Sequence, residues 1–197
     1  EEAPTRKRPK PGERRVQILQ TLAQMLEQPG GERVTTAALA GKLQVSEAAL
    51  YRHFASKAQM FEGLIEFIET SIFSLLNQIA EKNDAPSVKA RHMVTVLLQF
   101  AQRNPGMARV MVGDALVFEN DRLEQRMNQF FERFESSLRQ VLRDQAQATS
   151  SPTPTVDANV QSSVLVSFVV GRLQRFARSG YKRLPTEHLD ASLALLT

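Results

Sequence analysis

Few residues of this 197-residue chain are of types that make or break covalent bonds. Cysteine is absent, which excludes thiol catalysis, disulfides and cysteine-zinc sites together and suits a reducing compartment. His53, His92 and His188 stand far apart, and none has a second ligand at metal-binding spacing. No phosphate-cradling glycine loop and no Ser/His/acid grouping suited to catalysis occurs, so the sequence reads as non-enzymatic, with no cofactor. The chemistry that remains is hydrogen bonding to a polyanion. Arg6, Lys7, Arg8, Lys10, Arg14 and Arg15 place six cations within ten residues, against the single acid Glu13. Further on, Thr35, Thr36, Ser46, Tyr51, Arg52, His53 and Lys57 offer hydroxyl and basic groups of the kind that reach phosphate oxygens and base edges.

The net charge of +4 is concentrated there. Residues 1–57 hold ten Lys/Arg and six Asp/Glu, whereas residues 58–197 hold fifteen of each. Clustered cations release counterions from phosphates and supply most non-specific affinity for nucleic acid. A charge run can equally be a solvated tail, and charge alone leaves both readings open. Residue 1 is Glu, so it need not be the native start; no secretory pattern opens the chain and no apolar run is long enough to span a bilayer. These features place the chain in the cytoplasm.

The elements that must position these groups read as helices throughout. Residues 1–12, with three prolines, form an arm, and a helical period begins at Glu13 and ends before Pro29-Gly30-Gly31. Thr36 can cap a helix over Ala37–Leu43, Ser46 one over Glu47–Phe54, and Ser56 a long one over Lys57–Glu81. Ser87–Arg103, a short segment to Gly113, Asp121–Gln145, Val156–Ser179 and Thr186–Leu196 complete an all-α chain of about nine helices. The limits divide the chain into an arm 1–12, a small basic helical domain 13–57 and a larger helical domain 58–197.

Two short capped helices about three residues apart meet the requirement of a helix-turn-helix, whose second helix enters a major groove about 12 Å wide. Leu39, Ala40, Leu43, Val45, Leu50 and Phe54 form its buried side. The run Thr35-Thr36-x-x-Leu39-Ala40, then Val45-Ser46-x-x-Ala49-Leu50-Tyr51-Arg52-His53-Phe54-x-Ser56-Lys57, resembles the DNA-binding domain of the TetR family of regulators. Gln44 stands at the inter-helix turn where that family usually has Gly, which implies an altered or slightly strained turn. On this resemblance Ser46 and Glu47 open the recognition helix, and Ala48 and Ala49 offer methyl contacts to thymine. Thr35, Thr36, Tyr51, Arg52, His53 and Lys57 reach the backbone or base edges, and Arg6, Lys7 and Arg8 follow the duplex or its minor groove. Packing against the scaffold is the other reading of His53.

Two-fold dimerisation is expected, because one such unit buries too little DNA. In Val156–Ser179 the row Val160, Val164, Phe168 and Gly171 adjoins a second row, Leu165, Val169, Leu173 and Phe176. Core on one side and a partner on the other covers both, which assigns Val164, Phe168, Gly171, Arg172 and Arg175 to the dimer interface, and the resemblance to the four-helix interface of TetR proteins adds Leu193 of the last helix. Lys57–Glu81 has the stripe Phe61, Leu64, Ile65, Ile68, Ile72, Leu75, Leu76 and Ile79, with Phe67 and Met60 off to one side. Met93, Val96 and Phe100 make a surplus apolar face on Ser87–Arg103. Such faces denote either a wide core or a partner groove.

Beyond the first domain, Leu64-Ile65-Glu66-Phe67-Ile68-Glu69, Arg103-Asn104-Pro105-Gly106, Ala115–Leu123 and Gln129–Glu135 are similar to the nucleoid occlusion branch of the same family. That resemblance implies binding to palindromic double-stranded DNA across the nucleoid, with several dimers able to share one site. It also implies antagonism of the tubulin-like division protein FtsZ, whose C-terminal tail would lie between the fourth and fifth helices against Phe67, Val96, Gln99, Arg103 and Asn104. Leu75 stands where relatives carry a basic residue. The alternative is a TetR-type repressor released from DNA by a small ligand.

Overall fold

The computed structural model describes residues 12–28 and 33–197, so the expectations for Arg6, Lys7 and Arg8 fall outside the described residues. Nine α-helices are present among those residues, and no strand. They are α1 (Glu13–Leu26), α2 (Thr36–Leu43), α3 (Glu47–Tyr51), α4 (Lys57–Glu81), α5 (Pro86–Arg103), α6 (Pro105–Met111), α7 (Asp121–Ala148), α8 (Pro154–Arg178) and α9 (Leu189–Leu196), with a 3-10 turn over Asp114–Leu116. Local chemistry sets most of these limits. Proline, whose missing N–H costs nothing at a first turn, opens α5, α6 and α8. Ser46 and Ser56 cap α3 and α4 through their hydroxyl oxygens. The cap of α2 is Thr35, one residue before the expected Thr36, because the Thr35 oxygen reaches the Ala38 N–H. The last helix begins at Leu189 rather than at Thr186, since His188 before it is left-handed (φ 52°).

Gln44 also adopts a left-handed backbone (φ 55°, ψ 47°), the conformation its departure from glycine foreshadows. A side-chain-bearing residue pays roughly 1–2 kcal/mol there, partly offset by the entropy that glycine loses on folding. Gln44→Gly is therefore expected to stabilise the protein by about 1 kcal/mol. The check is a higher urea midpoint at unchanged m-value.

Ile18, Leu22 and Leu26 of α1 pack with Leu39, Leu43, Leu50 and Phe54 around the helix-turn-helix, and α4 carries this core into the body. Along α4 the expected stripe is buried except for Leu75, which is exposed; Phe73 is buried instead. The reason is α7, whose Phe130 meets the Phe73 ring at 5.3 Å while the Arg133 guanidinium covers it at 3.8 Å. Met60 likewise is fully buried rather than lying beside Phe67. Arg122 on Glu62 (2.9 Å) and Arg126 on Glu69 (3.0 and 2.6 Å) join α7 to α4, and the bond to Glu69 raises the Arg126 pKa.

The helix-turn-helix end is fixed to the body through α6. A Cβ at Gly106 would lie 2.4 Å from the Ala23 carbonyl oxygen, so α6 approaches α1 as only glycine permits. Next to this contact Arg109, 7% exposed, donates to the Leu26 carbonyl (2.9 Å) and to Asp114 (2.6 Å). The Tyr181 hydroxyl reaches the same carbonyl at 3.4 Å, and burial pushes its pKa up against the opposing charge of Arg109.

Candidate nucleic-acid interface

The two threonines before and within α2 are not equivalent. Thr35 Oγ1 accepts from the Ala38 N–H (3.1 Å), which leaves its O–H free to donate to a phosphate. Thr36 Oγ1 donates to Glu47 Oε2 (2.6 Å), tying the start of α2 to the first turn of α3. Ser46 Oγ accepts from Ala49 (3.3 Å) and, like Thr35, keeps its own donor outward. Glu47, Ala48, Tyr51, Arg52 and His53 are exposed along α3 and the turn after it, while Ala49 is half-buried between the helices. Tyr51 at 45% exposure and the exposed His53 ring are thus surface groups, and the scaffold-packing reading of His53 does not hold. The helix proper ends at Tyr51, three residues short of the expected Phe54.

Four charged residues support this face in ways the spacing does not reveal. Arg15 of α1 stacks on the Phe54 ring (4.1 Å) and donates to the His53 carbonyl, closing the C-terminal end of the recognition segment. A cation counted in the basic run is therefore a brace for the reading head. Lys57, at the first turn of α4, contacts Glu119 Oε1, and Arg33, just before α2, contacts the same oxygen at 3.1 Å. Arg33 also donates to the Phe118 carbonyl (3.0 Å). Glu119 is nearly enclosed, so one buried carboxylate in the body restrains two cations of the DNA-binding end. No local sequence signal could have identified Glu119, which is 62 residues from Lys57.

On the opposite side of α4, Phe67 is half exposed, and its ring meets Phe100 of α5 at 5.8 Å. Gln99 and Arg103 are exposed on α5, Val96 is half-buried, and Asn104 donates back to the Phe100 carbonyl (2.8 Å). The five residues expected to form the groove thus gather on and beside one α4–α5 face. Leu75 is exposed on α4 two turns beyond Phe67.

The two rows of α8 separate as periodicity indicates. Leu165, Val169, Leu173 and Phe176 are buried, whereas Val160, Val164 and Gly171 are exposed and Phe168 is half-buried. Arg175 is exposed beside them. Arg172 instead crosses Phe168 (4.9 Å) and donates to the Glu187 carbonyl and to Ser192, binding α8 to the start of α9. Leu193, placed on the partner-facing side by sequence, is 1% exposed within its own protomer; Leu195, 88% exposed, is the outward leucine of α9. The difference comes from the α9 register, which turns Leu189 and Leu193 inward.

Two family models match the chain. One, for bacterial regulatory proteins of the tetR family, covers residues 18–64; the other, an SlmA-like model described as tetracyclin repressor-like, C-terminal domain, covers 84–197. The nucleoid occlusion factor SlmA of Vibrio cholerae is 51% identical over 185 residues, spanning 93% of this chain and 94% of that protein. Its counterpart from Idiomarina loihiensis is 50% identical over 178 residues, 90% of each chain. Among solved structures, the TetR family regulator PfmR from Thermus thermophilus superposes with a TM-score of 0.72 at 21% identity, covering 91% of this chain and 96% of that one. FadR from Bacillus subtilis, in complex with stearoyl-CoA, gives 0.72 at 15% identity over 92% and 96%. Identities this low establish the fold alone.

Proposed function

Because this chain belongs to the TetR family, and within it to the SlmA nucleoid occlusion factors, we propose that it binds palindromic chromosomal sites as a two-fold dimer and, when DNA-bound, blocks assembly of FtsZ through that protein's C-terminal tail. Thr35, Ser46, Tyr51, Arg52 and His53 make the DNA contacts, with Ala48 and Ala49 against thymine methyls and the arm residues Arg6, Lys7 and Arg8 along the duplex. Thr36 and Glu47 preset the angle between α2 and α3. Lys57, held by Glu119, seats the start of α4 beneath this face instead of reaching the backbone. The uncovered row of α8, with Val164, Phe168, Gly171 and Arg175, joins the two protomers, and Leu195 extends it. More than one dimer shares a site, and the protein resides on the nucleoid. No described helix is long and apolar enough to cross a membrane.

The observation that carries the FtsZ half of this reading is Phe67. A half-exposed phenylalanine flanked by Val96, Gln99, Arg103 and Asn104 forms an aromatic anchor with an adjacent cation, remote from the recognition helix. Joint replacement of Phe67 and Arg103 by alanine is expected to abolish DNA-dependent inhibition of FtsZ polymer sedimentation while gel-shift affinity stays within twofold. Loss of both activities, or of neither, would count against the assignment. Mapping of bound sites in cells separates this reading from a ligand-released repressor, since many dispersed sites support the first and a single promoter the second.

A further inference from the structure

We infer that the Val117–Phe118 corner, between the 3-10 turn and α7, is the contact through which two dimers seated side by side on DNA join. The Phe118 ring of each copy enters a hollow that lies beside the same residue of the other. This rests on the reading above that more than one dimer shares a site, and names the surface that holds those dimers together. Phe118 is 84% exposed and Val117 55%, an uncovered apolar pair at the DNA-binding end. Phe118 also sits in the left-handed region (φ 66°), which bulky side chains rarely adopt. Arg33 donates to its carbonyl (3.0 Å), the Glu119 N–H donates to the Leu116 carbonyl (2.9 Å), and Asn120 caps α7. The corner is therefore fixed, and it holds the ring outward at a conformational cost without burying it.

Beside the ring lies a hollow of about 230 Å³, walled by Leu26, Val34, Phe61 and Ala115. The first three are buried, so much of its wall is apolar. An apolar cavity of about 150 Å³ already takes a benzene ring, and one phenyl side chain therefore fits here. A single patch that presents both a knob and a hole of matching size is what a two-fold contact between identical chains requires, since each copy gives what it receives. Arg33 and Asp114 also line the hollow, opposite in charge and each more than half exposed. Two such patches can thus meet with cation against acid.

The place of the patch selects copies bound to one duplex. Arg33 stands two residues before Thr35, whose O–H is offered to phosphate, so a dimer on the adjoining stretch of DNA comes against this corner. No residue of the patch belongs to α8 or α9, which leaves the α8 row to join the protomers, and each dimer carries the patch once per protomer. A ring and a hollow of this size bury far less than the roughly 1,200 Å² of a stable complex. The contact is silent between free dimers and counts only where one duplex holds them at millimolar effective concentration.

The test uses the full-length protein, an operator duplex and a shortened duplex with room for one dimer, in gel shifts that resolve one and two bound dimers. Phe118→Ser is expected to weaken addition of the second dimer by about tenfold, with the first bound within twofold of wild type and the thermal midpoint unchanged. Because the chain has no cysteine, Phe118→Cys supplies one thiol per protomer. A short bismaleimide is expected to crosslink that variant on the full operator, and neither on the shortened duplex nor without DNA. Unchanged addition of the second dimer in Phe118→Ser would overturn the contact and leave the shared-site reading standing. Equal crosslinking on the shortened duplex would place the corner within one dimer and overturn it as well. A wild-type protein that never seats a second dimer on the operator would remove the shared-site reading itself.

Discussion

Replacing Tyr51 and His53 together with alanine is expected to reduce the dimer's affinity for operator duplex by about three to four orders of magnitude, from the loss of two backbone or base contacts per protomer worth roughly 1–1.5 kcal/mol each. Both side chains are exposed and neither closes the core, so the fold should hold to within about 0.5 kcal/mol. The Arg15 bond to His53 uses the main-chain carbonyl and survives the substitution, which keeps the recognition segment seated. Gel shifts at two salt concentrations, with circular dichroism as the control for folding, make the check. Affinity equal to wild type would show that another face meets DNA. A uniform loss across unrelated sequences would assign both residues to phosphate, while a loss restricted to the operator would assign base readout to at least one.

The second large effect is on stability. Arg109→Leu removes the closer of the two donors to the Leu26 carbonyl inside the α1–α6–α8 junction and is expected to cost about 2–3 kcal/mol, or roughly 4–12 °C in thermal midpoint for a chain of this size. The ion pair to Asp114 contributes little of this, because the Asp114 side chain is half exposed and returns to water when released. Asp114→Asn should therefore cost no more than about 1 kcal/mol. Comparable losses in the two variants, measured by urea denaturation, would reverse that division and make the charge pair the main term.

Local punctuation carried most of the fold into view. Proline before a helix, a serine at a cap and an asparagine-proline break are read within a few residues, and α4, α5 and α8 begin and end close to where those signals lie. The two rows of α8 were legible for a related reason, since a helix with two apolar faces must be covered twice. What stayed hidden depends on a neighbour remote in sequence. Phe73 displaces Leu75 from the core because α7 brings Phe130 and Arg133 against it. Leu193 turns inward because the Leu189–Leu193 stripe of α9 joins the core of its own protomer, leaving Leu195 outside. In the DNA-binding end the residue types pointed to the face, but Arg15 proved to brace α3 and Thr36 to hold Glu47. A basic or hydroxyl side chain offers the same chemistry to its own fold as to a phosphate, and composition cannot apportion it.

Glu119 carries that point to the scale of the cell interior. The four-charge excess of residues 1–57 overstates the cations free to displace counterions, for Lys57 is neutralised from within and Arg33 shares the same carboxylate. The ionic strength at which the protein lets go of the chromosome is thereby set in part by a side chain that never faces DNA. Changes at position 119 would retune that threshold for an organism's internal salt while leaving the operator sequence it reads untouched.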